Sequence, residues 1–543
     1  MAQGDVLVGI GVGARAVRAE VFRLSAHQPL PAHAKSTKTP DQEIAEFGNA
    51  LSTLESLYAK KIEQASGELV EILQAQLALA SDPELIETAH SYCQKGWNAP
   101  TAIQLAMNEF KELLAGVDGE FGERVADLDE IVYRLVQILL GNDQDIDLPN
   151  SGRYIVVATD LTPMDTVAFT DVVVGVITEK GGPTSHTAIV CRSRAIPALV
   201  ACPQASSLRN GEMVLLDPDN SQAIIGGELT TESGNWWDGK ARSASPTIKV
   251  LANIGSVSDA ARAQKAQGVG LLRTELFFLD KLSQPTFEEQ VSLYSEVFSQ
   301  CPEGEIIVRT LDAGSDKPIP FLNMGHEENP ALGVRGQRVA AIAPVFYHDQ
   351  LRAIQAAAEQ VIADGSKVSV AVMAPMIATI EEAQVFADQA RQVGIRKVGI
   401  MIEVPAIVPM ISHLQGVIDF VSVGTNDLSQ YLFAADRVNS GVAHLLNPWE
   451  PALLATLSQI ATACKKTSIK SGVCGESASD PLLAVVLAGL GFDSVSASPS
   501  SVDDVMSALS VVDIAKAKTA ADRALLSTSA QGARKAARAA IAM

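Results

Sequence analysis

Apolar positions are spaced in four different ways along the chain. Residues 1–22 hold short runs of Val and Ile that predict one or two strands, with Gly9 and Gly11 in a turn. From about residue 40 to 145 the spacing is helical: Ile44, Phe47, Leu51, Leu54 and Leu57 recur at steps of three and four, and Leu69, Leu73 and Leu77 continue the stripe. Ser81-Asp82-Pro83 ends one helix and starts the next, because proline is tolerated in a first turn. This block reads as a helical bundle whose stripe is core, since it carries few side chains suited to chemistry. From Tyr154 the pattern becomes short β-rich runs, YIVVAT (154–159), DVVVGVIT (171–178), ALVAC (198–202) and MVLLD (213–217), punctuated by Gly and Pro as in a compact α/β domain. The segment 226–246 is small, polar and Gly/Ser-rich and reads as a linker.

After Pro246 eight β-like runs follow in order: 248–254, 268–275, 305–312, 368–376, 397–404, 420–427, 468–476 and 493–499, most of them separated by helical segments. Near-continuous apolar strands alternating with helices imply parallel strands buried on both faces. Eight such units predict a (β/α)8 barrel. The expected architecture is therefore multidomain α/β: an α/β domain of residues 1–22 plus 146–225, an inserted helical domain of 23–145, the linker 226–246, a barrel of 247–530, and a basic, Ala-rich tail of 531–543 that reads as a solvated helix or frayed end.

A length of 543 residues agrees with several domains, because single cores stop growing at about 250–300 residues. The formal net charge of −21 excludes a general nucleic-acid binder held by phosphate contacts, and suits a soluble protein or a basic partner protein. No run approaches the ~18 apolar residues of a membrane-spanning helix, and the N-terminus lacks the basic start of a signal peptide. The six cysteines show no CxxC pair and no zinc spacing, so reduced thiols of a cytoplasmic protein are the simplest reading.

The active site of such a barrel lies at the C-terminal ends of its strands. Those ends carry Arg273 and Glu275, Arg309 and Asp312, Glu403, Asn426 and Asp427, and Cys474 and Glu476, while Arg335 and Arg437 stand in loops able to reach the same face. Taken singly, Glu275 or Asp312 could merely pair with a neighbouring arginine. Together, several arginines beside a few carboxylates suit a multiply charged anion and a divalent cation. The guanidinium fork clamps phosphate or carboxylate, and Glu403 and Asp427 offer the hard oxygen ligands of Mg2+. A small, phosphorylated and carboxylated substrate fits that set. A second signal is GGPTSHTAIVCRSR (181–194), where Gly181 and Gly182 allow a tight turn and Thr184 or Ser185 can cap a helix. His186 would then stand at a helix N-terminus that favours an anion, with Arg192 nearby, as a nucleophile able to carry phosphate on a ring nitrogen.

GGPTSHTAIVCR, GVGLLRTELFF (268–278), VRTLDAGSDKP (308–318), NPALGVRGQR (329–338), GIMIEVPA (399–406), DFVSVGTNDLSQYLFAADR (419–437) and GVCGESASD (472–480) closely resemble enzyme I of the bacterial sugar phosphotransferase system, the phosphoenolpyruvate–protein phosphotransferase family, over nearly the whole chain. The resemblance implies that the α/β domain swivels and that phosphoenolpyruvate phosphorylates His186, releasing pyruvate. The phosphoryl group then passes to a histidine-containing phosphocarrier protein docked on the helical insertion. By position it makes Arg273, Arg309, Arg335, Asn426, Asp427 and Arg437 substrate ligands, Glu403 and Asp427 the Mg2+ ligands, and Cys474 the acid that protonates the enolate carbon. It also implies a homodimer through the barrel, and puts Thr166 near the phosphohistidine. The family often has histidine where Gln76 stands and a long interdomain helix where Gly234 and Gly239 occur; Ala313, Ser315 and Ser479 are further departures.

Two other readings compete. A dikinase or synthase sharing the histidine domain and barrel would need an ATP-binding domain, whereas the residues before the histidine segment are helical and hold no glycine-rich phosphate loop. A catalytically dead docking protein is disfavoured by the intact histidine, arginines, carboxylates and cysteine. A nitrogen-regulatory relative would be expected to carry an extra N-terminal sensor domain.

Overall fold

The computed structural model describes residues 4–13, 16–24, 30–64, 68–115, 121–142, 148–149, 151–182, 185–194, 196–228, 236–237, 246, 248–279, 281–315, 319–322, 324–325, 327–437, 439 and 442–542. The chain forms two compact units, Met1–Thr230 and Thr231–Met543.

The first unit holds an eight-stranded mixed sheet of β1 (Val6–Val8), β2 (Ile10–Val12), β3 (Val17–Arg23), β4 (Tyr154–Ala158), β5 (Val173–Thr178), β6 (Ala198–Val200), β7 (Met213–Asp217) and β8 (Gln222–Ile225), in the order β1-β8-β7-β3-β4-β5-β6-β2. The N-terminal segment thus makes three strands, one more than its pattern suggested. β1 and β2 occupy opposite ends of that order yet are separated only by Gly9, so the sheet curls back on itself. Gly11 lies inside β2 rather than in a turn, and its reason for being glycine is close approach: a Cβ there would sit 1.9 Å from the Pro218 carbonyl oxygen.

Between the parallel neighbours β3 and β4 the chain inserts five helices, α1 (Pro40–Gln64), α2 (Glu68–Ala80), α3 (Pro83–Gln94), α4 (Ala99–Ala115) and α5 (Phe121–Leu139). The Asp82 side chain caps α3 and Pro83 fills its first turn, as the sequence pattern requires. Phe47, Leu54, Tyr58, Leu73, Leu85, Ile103, Ile131 and Leu135 form the bundle core. That core runs on into Met164 and Val167 of α6 (Pro163–Val167) and Val190 of α7 (His186–Ser193). A buried polar seam crosses the same boundary. Tyr58 donates to Gln76 (3.2 Å), Gln76 to Glu130 (3.1 Å), and Arg134 to Asp165 (2.7 Å). Gln76 is therefore an internal residue of the bundle, and its side chain does not face outward.

The second unit is a closed, all-parallel barrel of β9 (Lys249–Ile254), β10 (Gly268–Arg273), β11 (Gly304–Arg309), β12 (Val368–Ala374), β13 (Val398–Ile402), β14 (Phe420–Gly424), β15 (Lys470–Cys474) and β16 (Ser494–Ala497). Seven of the eight strands fall within the runs read from the sequence, and β11 starts one residue ahead of its run, at Gly304. Helices α8 (Val257–Arg262), α9 (Phe287–Gln300), α10 (Pro344–Ala363), α11 (Ile380–Gln392), α12 (Thr425–Phe433), α13 (Pro451–Thr467), α14 (Pro481–Leu490) and α15 (Val502–Ser510) lie on the connections, followed by α16 (Ile514–Leu525) and α17 (Ala530–Ala542). After β13 the connection is a 3₁₀ segment, Pro405–Leu414, where Pro409 removes a backbone donor from any α-helix.

Two departures concern the ends of this unit. Trp236 and Trp237, inside the segment read as a linker, are buried in the barrel's outer core; Gly234 and Gly239 lie outside the described residues. The Ala-rich tail is no frayed end. Ala533, Ala537, Ala540 and Ile541 of α17 are buried, Arg534 pairs with Asp480 (3.1 Å), and Arg538 lies over the Trp236 ring. Small side chains let α17 approach closely while its arginines bind outward. Among the described residues no helix is long and apolar enough to cross a membrane, and all six cysteines are unbridged.

Gly11→Ala is expected to cost about 1–3 kcal/mol, the scale of overpacking a tight core, seen by calorimetry as a lower midpoint for the first unit's transition. An unchanged midpoint would show that β2 and Pro218 can part freely.

Candidate active site at the barrel mouth

Strand alternation builds the site. Successive residues of a strand point to opposite faces, so i and i+2 share one. Leu271, Ile307, Met373, Met401, Phe420 and Cys474 belong to the apolar cluster that fills the barrel. Two residues beyond Leu271 comes Arg273, beyond Ile307 Arg309, and beyond Met401 Glu403. The same pleat that fills the interior with hydrocarbon therefore delivers charge to the rim.

These charges form one alternating chain. Arg273 Nε donates to Glu275 Oε1 (3.1 Å), which also accepts from Arg309 Nη2 (2.6 Å). Arg309 Nη1 pairs with Asp312 Oδ2 (3.0 Å). Arg335 grips both oxygens of Asp312 (3.1 and 3.2 Å) and reaches Asp427 Oδ2 (3.1 Å). Arg437 Nη1 stands 3.7 Å from that same Asp427 oxygen. Glu275, Arg309, Asp312, Arg335, Glu403 and Asp427 are all buried, while Arg273 and Arg437 are partly exposed and form the open side. The expected substrate ligands on β10, β11 and the two loops are thus brought together. Asn426 sits in the first turn of α12, directly after β14, and a Cβ on Gly475 (φ +89°) would lie 2.9 Å from its Oδ1. Asn426 and the chain beyond Cys474 are neighbours.

Asp312, Glu403 and Asp427 place one carboxylate oxygen each within 4.8 Å of one another. The sequence reading paired only Glu403 and Asp427; Asp312 was seen at its strand end but not as part of the cluster, although its position three residues after Arg309 carried the signal. Burial, then the Asp427 and Asp312 charges, push the Glu403 carboxyl up to about 8. Its Oε1 accepts from the Met376 backbone N–H (3.3 Å), whereas the buried Oε2 has no hydrogen-bond partner. Met376 holds a left-handed φ of +58° to aim that N–H. An orphaned carboxylate oxygen in an all-oxygen cluster fits a hard divalent cation.

Cys474 ends β15 beneath this mouth. Its Sγ is 3.4 Å from both Ser422 Oγ and the Val423 carbonyl oxygen. Burial raises the thiol to about 11, so it holds its proton through the neutral range. Ser422 was not foreseen; it lies two residues after Phe420, on the inward face. The Glu476 side chain lies outside the described residues.

In the first unit, α7 begins at His186, after a turn at Gly181 (φ +88°), and the Ser185 hydroxyl accepts from the Ala188 N–H (3.4 Å) as the cap. Thr184 and the His186 and Arg192 side chains lie outside the described residues. Thr166 is buried in α6, its hydroxyl donating to Pro163 O (2.7 Å), and its carbonyl accepts from Arg194 (3.3 Å) just beyond α7.

Known proteins match the chain domain by domain. Residues 237–514 match the PEP-binding domain of PEP-utilising enzymes, 151–221 their mobile domain, and 8–124 their N-terminal domain. The fold and the charged barrel mouth thus define a PEP-utilising enzyme. A phosphoenolpyruvate-protein phosphotransferase of Streptomyces coelicolor is 38% identical over 98% of this chain and 98% of its own length. One of Haloferax volcanii is 34% identical over 85% and 86%. The chain belongs to the phosphoenolpyruvate-protein phosphotransferase family. Among solved structures, the NMR structure of Enzyme I (nEIt) is 29% identical, covering 41% of this chain and 93% of that one, with a TM-score of 0.37.

The Glu403 shift sets a pH dependence. Its folded value near 8 exceeds the ordinary 4.5, so the folded state holds a proton that the unfolded state has released. The stability this contributes is complete below about 4.5 and is lost as pH rises through about 8. Metal-free protein should therefore melt progressively lower between about pH 5 and 8, and Glu403→Gln or added Mg2+ should flatten that slope. Equal slopes in all three melting series would contradict it.

Proposed function

We propose that this chain transfers the phosphoryl group of phosphoenolpyruvate to its own His186 and then to a histidine-containing phosphocarrier protein, the first step of sugar uptake by a phosphotransferase system. The observation that carries the reading is the convergence of Arg273, Arg309, Arg335 and Arg437 with three clustered carboxylates and a buried thiol at one end of one barrel.

The arginines bind the phosphate and carboxylate of the substrate, and Asn426 orients it. Glu403 and Asp427 would hold Mg2+, with Asp312 beside them; when bound, that ion neutralises charge on the phosphoryl oxygens. A ring nitrogen of His186 attacks phosphorus, the N–P bond forms, and the bridging P–O bond breaks with its electron pair left on oxygen. The enolate so released takes the Cys474 proton at its methylene carbon and becomes pyruvate; water restores the thiol. A thiol raised by burial suits this step because it remains an acid at neutral pH.

Residues 1–22 plus 146–225 form the swivelling phosphohistidine domain, 23–145 dock the carrier, 226–246 connect, and 247–530 bind phosphoenolpyruvate and form a homodimer. The protein acts in the cytoplasm and engages neither nucleic acid nor membrane.

Incubation with phosphoenolpyruvate labelled in its phosphoryl group, plus Mg2+, should leave an acid-labile, base-stable label that is absent from His186→Ala. No label on the unaltered protein would favour a docking role instead. Cys474→Ala should slow pyruvate formation by roughly 10²–10⁴, the usual worth of a positioned acid, while transfer from phosphohistidine to carrier stays largely intact. Equal loss of both half-reactions would make the cysteine structural.

A further inference from the structure

Among the described residues, Glu275 is the one fully buried carboxylate at the mouth that stands outside the cation cluster. It opens a 3₁₀ turn, Glu275–Phe277, directly after β10, and the flanking Thr274 hydroxyl donates to the Arg309 carbonyl (2.9 Å), tying the ends of β10 and β11 together. Gln350 donates to that same hydroxyl (3.3 Å) and accepts from the Leu311 N–H (3.0 Å). The backbone that carries Glu275 is therefore held from two sides.

A single oxygen, Oε1, receives both Arg273 Nε and Arg309 Nη2. Two guanidinium groups so close repel each other, and the carboxylate between them is what sets their separation. Each arginine has five N–H donors, so the remaining donors of the partly exposed Arg273 stay available on the open side. Arg309 is further held by Asp312, whereas Glu275 is the carboxylate that orients Arg273. A fold does not require this group, since burying a carboxylate costs several kcal/mol that a packed apolar side chain would not.

Resting on the function proposed above, we propose that Glu275 is a positioning residue. It presets the spacing of Arg273 and Arg309 before substrate arrives, so that binding a doubly anionic phosphate–carboxylate ligand requires no rearrangement of the pair. In Glu275→Gln one amide face donates instead of accepting, the guanidinium groups separate, and each encounter with substrate must draw them together again. The loss appears in binding more than in the chemical step, because the bound substrate's own charge restores the pair.

The test uses the full chain with Mg2+, measuring steady-state pyruvate release with carrier present and the affinity for phosphoenolpyruvate by calorimetry. Glu275→Gln should raise KM and Kd about tenfold, with kcat falling less than about threefold, and should add little to Arg273→Ala, since directly coupled residues are not additive. Glu275→Asp, which keeps the charge, should recover part of the affinity and guards against a variant that fails to fold. An unchanged KM, or the same effect of Glu275→Gln with and without Arg273, would overturn the inference. Absence of binding or turnover by the unaltered protein would instead overturn the proposed function.

Discussion

Taking a carboxylate out of water costs several kcal/mol even after the protein relaxes, and among its described residues the mouth of this barrel buries four: Glu275, Asp312, Glu403 and Asp427. Alternation of sign makes this tolerable. Glu275 lies between Arg273 and Arg309, Asp312 between Arg309 and Arg335, and Asp427 between Arg335 and Arg437. Glu403 is the exception, flanked by other carboxylates and left with an orphaned oxygen. A carboxylate so placed presets the site for a cation there, and the paired arginines preset it for an anion. Its polar groups need not reorganise when charge arrives.

The barrel is what permits such a chain. Its members come from β10, β11, β13 and β14 and the loops beyond them, and only a closed parallel sheet brings all those C-terminal ends to one rim. Below the charges, Leu271, Ile307, Met373, Met401 and Phe420 exclude water, which strengthens every electrostatic contact above them. Cys474 belongs to both layers. It packs with the hydrocarbon yet ends its strand at the charged rim, and this burial keeps it a thiol.

The first unit is built on a different principle. The helical insertion does not stand apart from the sheet that carries α7: its core continues into α6 and α7, and the Arg134–Asp165 pair crosses the same seam. The helix that opens at His186 is thus packed on the element read as the carrier's docking surface. Within this unit a docking helix and a phosphohistidine helix would share one hydrophobic core.

Much of this was legible beforehand. Eight buried strands in a row leave an apolar signature that only a parallel, doubly covered sheet explains, and the strand-end position of Arg273, Arg309, Glu403, Asp427 and Cys474 followed from their place toward the C-terminal end of each run. The motifs themselves identified the family. Packing decided the rest, because it depends on residues far apart in the chain. No local pattern says that Gly11 meets Pro218, that Gln76 is enclosed by Tyr58 and Glu130, that two tryptophans of a polar segment enter the barrel's core, or that an alanine-rich tail docks through its small face. Nor could it say that Asp312 stands with Glu403 and Asp427, or that one oxygen of Glu275 serves two arginines. Sequence by itself determined which chemical groups reach the rim, through the two-residue period of a strand. Only the closed tertiary structure decided which of them touch, since closure sets the distances between groups as far apart in the chain as Arg335 and Asp427.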